Sequence, residues 1–276
     1  MSLPQELLDE ILSYLPPDSE QGDRSLRNCS LVAKSWINPS RRQLFKTVEI
    51  REAALQSWLD GIPPVNGELL QHVRSLSYIT DTRTRRNLLF GLQGDQQCTP
   101  QSEYRIHVLQ DYFPSLHQLR HLSLSSMHLL PDASQQVETF SPFRHTLSRL
   151  TLNCCALTIT GLVTLMNYFP EINRLDLIRP LWHKVDAESV PPLSRPRIEK
   201  LHVSALHEDS IGLLDRLSEL GTVFDEIIVE EWREVHVHYL NRIVKALGEN
   251  VKRLKLLGGF KGCMYIGRWF LMRLAN

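Results

Sequence analysis

The sequence predicts an α/β chain in two parts: three short helices within residues 1–46, and then, over residues 47–276, strand–turn–helix units sharing one parallel strand ladder. Three observations predict it. A leucine stripe at steps of three and four opens the chain, one apolar spacing recurs seven times after it, and helical patterns fall between those copies.

The stripe is Leu3, Leu7, Leu8, Ile11, Leu12 and Leu15, one wide apolar face on a helix of about three turns. Pro4 suits the first turn, where its missing N–H costs nothing, Glu6 favours the positive helix start, and Pro16-Pro17 stops the helix. A polar loop from Asp18 to Asp23 follows. Leu26, Cys29, Val32, Ala33 and Trp36 then mark a second helix, which Asn38-Pro39 ends, and Ser40 to Phe45 form a short third segment. Three short helices cannot bury their own apolar residues well, so a covering surface is expected. About six aliphatic side chains would yield on the order of 10 kcal/mol gross on being covered, before association costs.

The run Leu3-Pro4-Gln5-Glu6-Leu7-Leu8-Asp9-Glu10-Ile11-Leu12-Ser13-Tyr14-Leu15, then Leu26, Cys29 to Trp36 and Ser40 to Phe45, resembles an F-box of the fungal type. The stretch between Pro17 and Leu26 is polar where that family has a compact, more apolar connection. The resemblance implies docking onto the Skp-type adaptor subunit of a cullin-based ubiquitin ligase. It also implies that Leu3, Pro4, Leu7, Leu8, Ile11, Leu12 and Leu15 supply contacts, with Val32 and Trp36 divided between partner contact and internal packing.

Past residue 46 the pattern apolar-x-x-apolar-x-apolar occurs as Val73/Leu76/Tyr78, Leu119/Leu122/Leu124, Leu147/Leu150/Leu152, Ile172/Leu175/Leu177, Ile198/Leu201/Val203, Phe224/Ile227/Val229 and Val251/Leu254/Leu256. The central positions 122, 150, 175, 201, 227 and 254 are separated by 28, 25, 26, 26 and 27 residues. The longer step from 76 to 122 holds a polar insertion, Thr80 to Pro100, expected as an exposed loop. Within each copy the last two apolar residues share one face of a strand. Tyr104 to Tyr112, Leu162 to Phe169, Ile211 to Leu217 and Leu240 to Leu247 read as intervening helices. No unit of this size closes its own core, so neighbours must stack. The chain here resembles leucine-rich-repeat proteins, with Leu147/Leu150/Leu152/Cys155/Leu157 matching the cysteine type, which implies a solenoid with strands inside and helices outside. The end, Gly258-Gly259 followed by Phe260, Tyr265, Ile266, Trp269 and Phe270, is unlike a polar cap; it is an atypical cap, a further contact surface or an incomplete chain.

One outward-facing column of the ladder reads His121, Arg149, Arg174, Lys200, Glu226, Arg253, and four of these six are permanently basic. Like charges on adjacent strands about 4.8 Å apart repel, so an acidic or phosphorylated target segment is one reading and a solvated charge row is the other. The neighbouring column, Ser123, Thr151, Asp176, His202, Ile228, Lys255, is mixed and offers no theme. Glu230, Glu231 and Glu234 partly balance the basic row.

With 31 basic and 31 acidic residues no bulk charge points to nucleic acid or membrane. The five cysteines, odd in number and without CxxC spacing, read as reduced thiols, and no window approaches 18 uncharged apolar residues, so a cytoplasmic or nuclear protein is expected. His236 and His238, with Glu234 or His207, lack the spacing of a metal set. Cys154-Cys155 lacks redox geometry, Asp9 and Glu10 have no partner carboxylate, and GxSxG, GxxxxGK[ST] and HExxH are absent from the sequence. The expectation is a non-catalytic adaptor without cofactor or metal; the alternative is a ligase-independent interaction scaffold of the same shape.

Overall fold

Helix α1 spans Gln5–Ser13 and begins behind Pro4. The computed structural model to which it belongs describes residues 4–15, 19–55, 57, 70–80, 113–129, 140–182, 197–204, 214, 217, 222–230, 251–257 and 270–273. Leu3, Pro16 and Pro17 lie outside them. The stripe of α1 divides: Leu8 and Leu12 are buried at 1% and 0% exposure, whereas Leu7 and Ile11 are each 45% exposed.

Helix α2 (Glu20–Val32) starts earlier than its sequence reading. The Ser19 hydroxyl accepts the Gly22 N–H at 3.0 Å, and Glu20 and Asp23 sit in the positively polarised first turn. The segment read as a polar loop is thus largely the capped first turn of α2. That helix ends at Ala33, whose extended backbone (φ −158°, ψ 157°) breaks it before α3 (Lys34–Leu44). Asn38-Pro39 therefore does not terminate the second helix, and Trp36 belongs to α3, with Pro39 buried inside it. Proline there forfeits one backbone hydrogen bond; packing between α2 and α3 holds the helix together across it.

The strands are β1 (Thr47–Arg51), β2 (Ser75–Ile79), β3 (His121–Ser125), β4 (His128–Leu129), β5 (Arg149–Asn153), β6 (Ala156–Leu157), β7 (Arg174–Ile178), β8 (Leu181–Trp182), β9 (Arg197–Ser204), β10 (Val223–Glu230), β11 (Arg253–Leu257) and β12 (Phe270–Arg273). Nine form one sheet in the order β1-β2-β3-β5-β7-β9-β10-β11-β12, parallel except that β12 turns back antiparallel on β11. Register places Val48, Leu76, Leu122, Leu150, Leu175, Leu201, Ile227 and Leu254 opposite one another, so the recurring apolar positions stack as one buried row. Alternation then sends the intervening polar residues to the other face. Thr80, read as the start of the insertion, instead ends the β2 segment, its hydroxyl bonded to the Ser125 and Ser126 carbonyls at 3.1 and 2.8 Å. Residues 81–100 lie outside the described ones.

Three consecutive units share a device the sequence reading missed. After β3, β5 and β7 comes one residue in the left-handed region, Ser126 (φ 60°), Cys154 (φ 51°) and Arg179 (φ 48°). The chain then re-pairs as a second parallel ladder, β4-β6-β8. The left-handed turn passes each amide to the next unit: Ser126 N–H bonds Asn153 O at 2.8 Å, and Cys154 N–H bonds Ile178 O at 2.7 Å. A β-branched side chain is poorly tolerated there, whereas glycine is at ease. We expect Arg179→Val to cost about 1–2 kcal/mol and Arg179→Gly less than about 0.5, read from urea unfolding midpoints.

The core behind the sheet is mostly aliphatic on the strands, with Tyr78 of β2 and Phe224 of β10 among its members, and aromatic outside them, where Phe113, Phe140, Phe143 and Phe169 pack ring to ring, the Phe113–Phe143 centroids 5.3 Å apart edge-on. Helix α4 (Ile159–Tyr168) fills the expected 162–169 segment, capped by the Thr158 hydroxyl, which accepts the Gly161 N–H at 2.9 Å. Of the other expected helices, Leu214 and Leu217 are helical and buried. The segments 104–112 and 240–247 lie outside the described residues.

Candidate functional site

Two surfaces carry unspent chemistry. On the helical module the large apolar residues left exposed, among the described ones, are Leu7, Ile11, Tyr14, Leu31 and Val32. Pro4 is also exposed, while Leu15 and Trp36 are half-buried. Leu8 and Leu12 are spent on internal packing, since α1 lies against α3. Of the stripe's described residues Leu7 and Ile11 thus keep apolar surface free, as does Val32 of α2. If one partner covered Leu7, Ile11, Leu31 and Val32, their remaining exposure would return about 5 kcal/mol gross, half the figure that counts the whole stripe as free.

The second surface is the polar face of the sheet. The column expected there is real: Ser75, His121, Arg149, Arg174, Lys200 and Glu226 are in register across six strands. It is not an open row of cations. Asp176, two residues past Arg174 on β7, takes Arg149 Nε at 2.7 Å and Arg174 Nε at 3.1 Å on each carboxylate oxygen. Glu226 takes Lys200 at 3.3 Å and Lys255 at 2.6 Å. Arg253 stands exposed, opposite Arg273 of β12. The neighbouring column, which reads as themeless, supplies Thr151, Asp176, His202 and Lys255, the groups that organise the basic one. A long cation that bends across the strand face onto a buried carboxylate exchanges like-charge repulsion for a charge-assisted bond.

A lateral chain of bonds crosses the same face. The Ser75 hydroxyl stands 3.0 Å from His121 Nδ1, His121 Nε2 stands 3.0 Å from the Thr151 hydroxyl, and Thr151 donates to Asp176 Oδ2 at 3.2 Å. Because Thr151 gives its one proton to the carboxylate, it must accept from His121, which is therefore the Nε2–H tautomer and accepts from Ser75 at Nδ1. Burial, reinforced by the Arg149 charge, lowers the His121 pKa from 6.5 to about 4, so the ring is neutral. Burial alone would raise the Asp176 carboxyl; the bonds from His202 and Arg149 and the charges of Arg149 and Arg174 outweigh it and hold it well below the usual carboxylate range. Glu226 is lowered by its bond from Lys255, against burial, with Lys200 adding to it. His202 continues the line, Nδ1 lying 3.4 Å from Asp176 Oδ1 and Nε2 3.2 Å from Glu230 Oε2.

Ser75 beside a histidine resembles half of a nucleophilic dyad, but a ring that titrates near 4 is a poor base at neutral pH, and Ser75 gains no activation from it. Cys155 is fully buried with its thiol pushed up to about 12, which makes it an inert core residue; its Sγ–H donates to the Leu124 carbonyl at 3.3 Å. Among the described residues no group of three or more His, Cys, Asp or Glu side chains is placed to hold a metal ion. His207, Glu234, His236 and His238 lie outside them. No helix among the described residues is long and apolar enough to cross a membrane.

Three short helices with a divided leucine stripe thus precede a mostly parallel sheet whose polar face is organised by buried carboxylates. Residues 1–51 match the family model described as F-box-like, which supports an F-box protein. The match takes in α1 to α3 and also β1, the first strand of the sheet. No curated protein matches the chain.

Proposed function

We propose that the chain is a non-catalytic substrate-recognition subunit of an SCF-type cullin ubiquitin ligase, acting in cytoplasm or nucleus. The helical module binds the Skp-type adaptor, and through it the cullin. The polar sheet face holds the protein to be modified. The observation that carries this reading is the F-box-like match over a module whose Leu7 and Ile11 stay exposed.

We read the sheet region as a leucine-rich-repeat solenoid of the kind found in fungal F-box proteins. In support stand the in-register apolar row, the unit spacing of 25 to 28 residues, and the left-handed residue that recurs at 126, 154 and 179. The stacked cysteine position at Cys155, donating to the preceding unit's Leu124 carbonyl, supports it too.

The test is co-purification of the intact chain with a Skp-type adaptor. Leu7→Asp with Ile11→Asp is expected to lower adaptor affinity at least about 100-fold, because two charges would be desolvated at the interface. Unfolding midpoints should stay near wild type, since both side chains are half exposed in the free chain. Leu8→Asp is unsuited to the purpose, because a charge at a buried position unfolds the module instead of probing its surface. Undiminished adaptor binding by the double variant would overturn the docking assignment.

A further inference from the structure

Arg149 and Arg174 are held in an unusual way. Among the described residues each guanidinium is bonded to Asp176 through Nε alone, leaving both terminal nitrogens of each unclaimed. The two side chains are 37% and 34% exposed, while the carboxylate that orients them is 1% exposed. They come from directly opposed positions on adjacent strands, about 4.8 Å apart. A carboxylate buried beneath two guanidinia fixes their planes and removes the entropy that a free arginine loses on binding an anion.

We propose that Arg149 and Arg174, oriented by Asp176, form the seat for a carboxylate side chain of the captured protein. This rests on the polar face being the target-binding face. Charge balance selects the occupant. Two arginines on one aspartate leave one positive charge, which a monoanionic carboxylate neutralises; a phosphate near −2 would leave the node negative, with Glu230 nearby on His202. Lys200 and Lys255 on Glu226 form a second node, also one positive charge in excess. Asp176 and Glu226 stand on β7 and β10, two ladder steps apart across the sheet and two residues apart along the strands, about 12 Å in all. The ligand is thus an acidic segment offering two carboxylates at that separation. Asp176 is the positioning residue of the first seat.

The test uses the full chain and a capped hexaglutamate peptide, with binding read by fluorescence anisotropy. Arg149→Lys with Arg174→Lys keeps every charge but loses the planar forks, and is expected to weaken binding at least tenfold. Arg120→Gln, which removes an exposed charge outside the node, should change it less than twofold. Equal binding by the lysine variant and wild type would reduce the site to a charge row and overturn the seat. A hexapeptide bearing one phosphoserine, if it bound more tightly than hexaglutamate with the same arginine dependence, would overturn the choice of occupant. Thermal melting of each variant shows that the fold is kept. If hexaglutamate does not bind while Arg149→Glu with Arg174→Glu still abolishes target capture, the seat is wrong and the target-binding face stands. If the peptide binds as stated and capture is unchanged by that reversal, the target-binding reading fails instead.

Discussion

Asp176→Ala is expected to be the most damaging single substitution on the polar face, lowering unfolding free energy by about 3 kcal/mol. The carboxylate accepts from Arg149, Arg174 and Thr151 and lies against His202, so its loss leaves two guanidinia opposed on adjacent strands and a hydroxyl without its acceptor. Breaking a buried ion pair from one side costs about 3–5 kcal/mol, and the one-third exposure of both arginines places this case at the lower end. Asp176→Asn keeps the shape and two lone pairs but not the charge, and should cost about 2 kcal/mol. Removing the cations as well tests the cause: Asp176→Ala with Arg149→Leu and Arg174→Leu should recover at least about half of the loss, as expected where an unpaired charge rather than a lost contact is the penalty. Urea unfolding of the three variants decides it; a cost below about 1 kcal/mol for Asp176→Ala would mean that the face is not organised by this residue.

Stability should fall on acidification in two stages. The pKa of His121 in the folded chain is lowered to about 4 from 6.5, so between those values the unfolded chain binds the proton and the folded chain does not. Folding stability is then complete above about pH 6.5 and declines as pH falls toward 4. Discounted for a ring that is only half-buried, the loss is roughly 1–2 kcal/mol. The second stage belongs to Asp176 and Glu226, whose carboxyls are lowered from 3.8 and 4.5; their stabilisation is present above those values and disappears as pH falls below them. His121→Gln should flatten the upper stage while leaving the lower one in place. Urea midpoints at pH 7.5, 5.5 and 4.5 read the difference, and an equal decline in both proteins would remove His121 as its source.

Much of the strand ladder was legible because burial on one sheet face imposes a period of two, which survives in the residues themselves. Even β1 carries the signal: Phe45/Val48/Ile50 has the spacing of the other seven copies, with Val48 standing 28 residues before Leu76, but it directly follows the helical segment that masks it. The capped start of α2 was legible too, in Ser19 followed by Glu20 and Asp23, but Gly22 made the stretch look like a turn. The break at Ala33 was not, since nothing in Val32-Ala33-Lys34 forbids a continuous helix and packing of α3 decides it. The left-handed residues escaped because Ser126, Cys154 and Arg179 share no side-chain chemistry; the constraint is on the backbone.

The polar face was half legible. Periodicity put Arg149, Arg174 and Lys200 in one column, which the register bears out. What the column does was hidden, because Asp176 and Lys255 belong to the next one and reach it diagonally, a contact that depends on side-chain length and direction rather than on spacing. The stripe of α1 posed the same difficulty: steps of three and four mark which residues are apolar, not which of Leu7, Leu8, Ile11 and Leu12 the third helix will cover.

The proposed division of labour between the two surfaces is tested most directly by measuring adaptor affinity and target capture side by side in two variants of the intact chain. Leu7→Asp with Ile11→Asp should lose the Skp-type adaptor and still capture the target; Arg149→Glu with Arg174→Glu should lose the target and still bind the adaptor as wild type does. If either variant instead loses both activities while remaining folded, or keeps both, the chain is not built as a docking module joined to a separate recognition face.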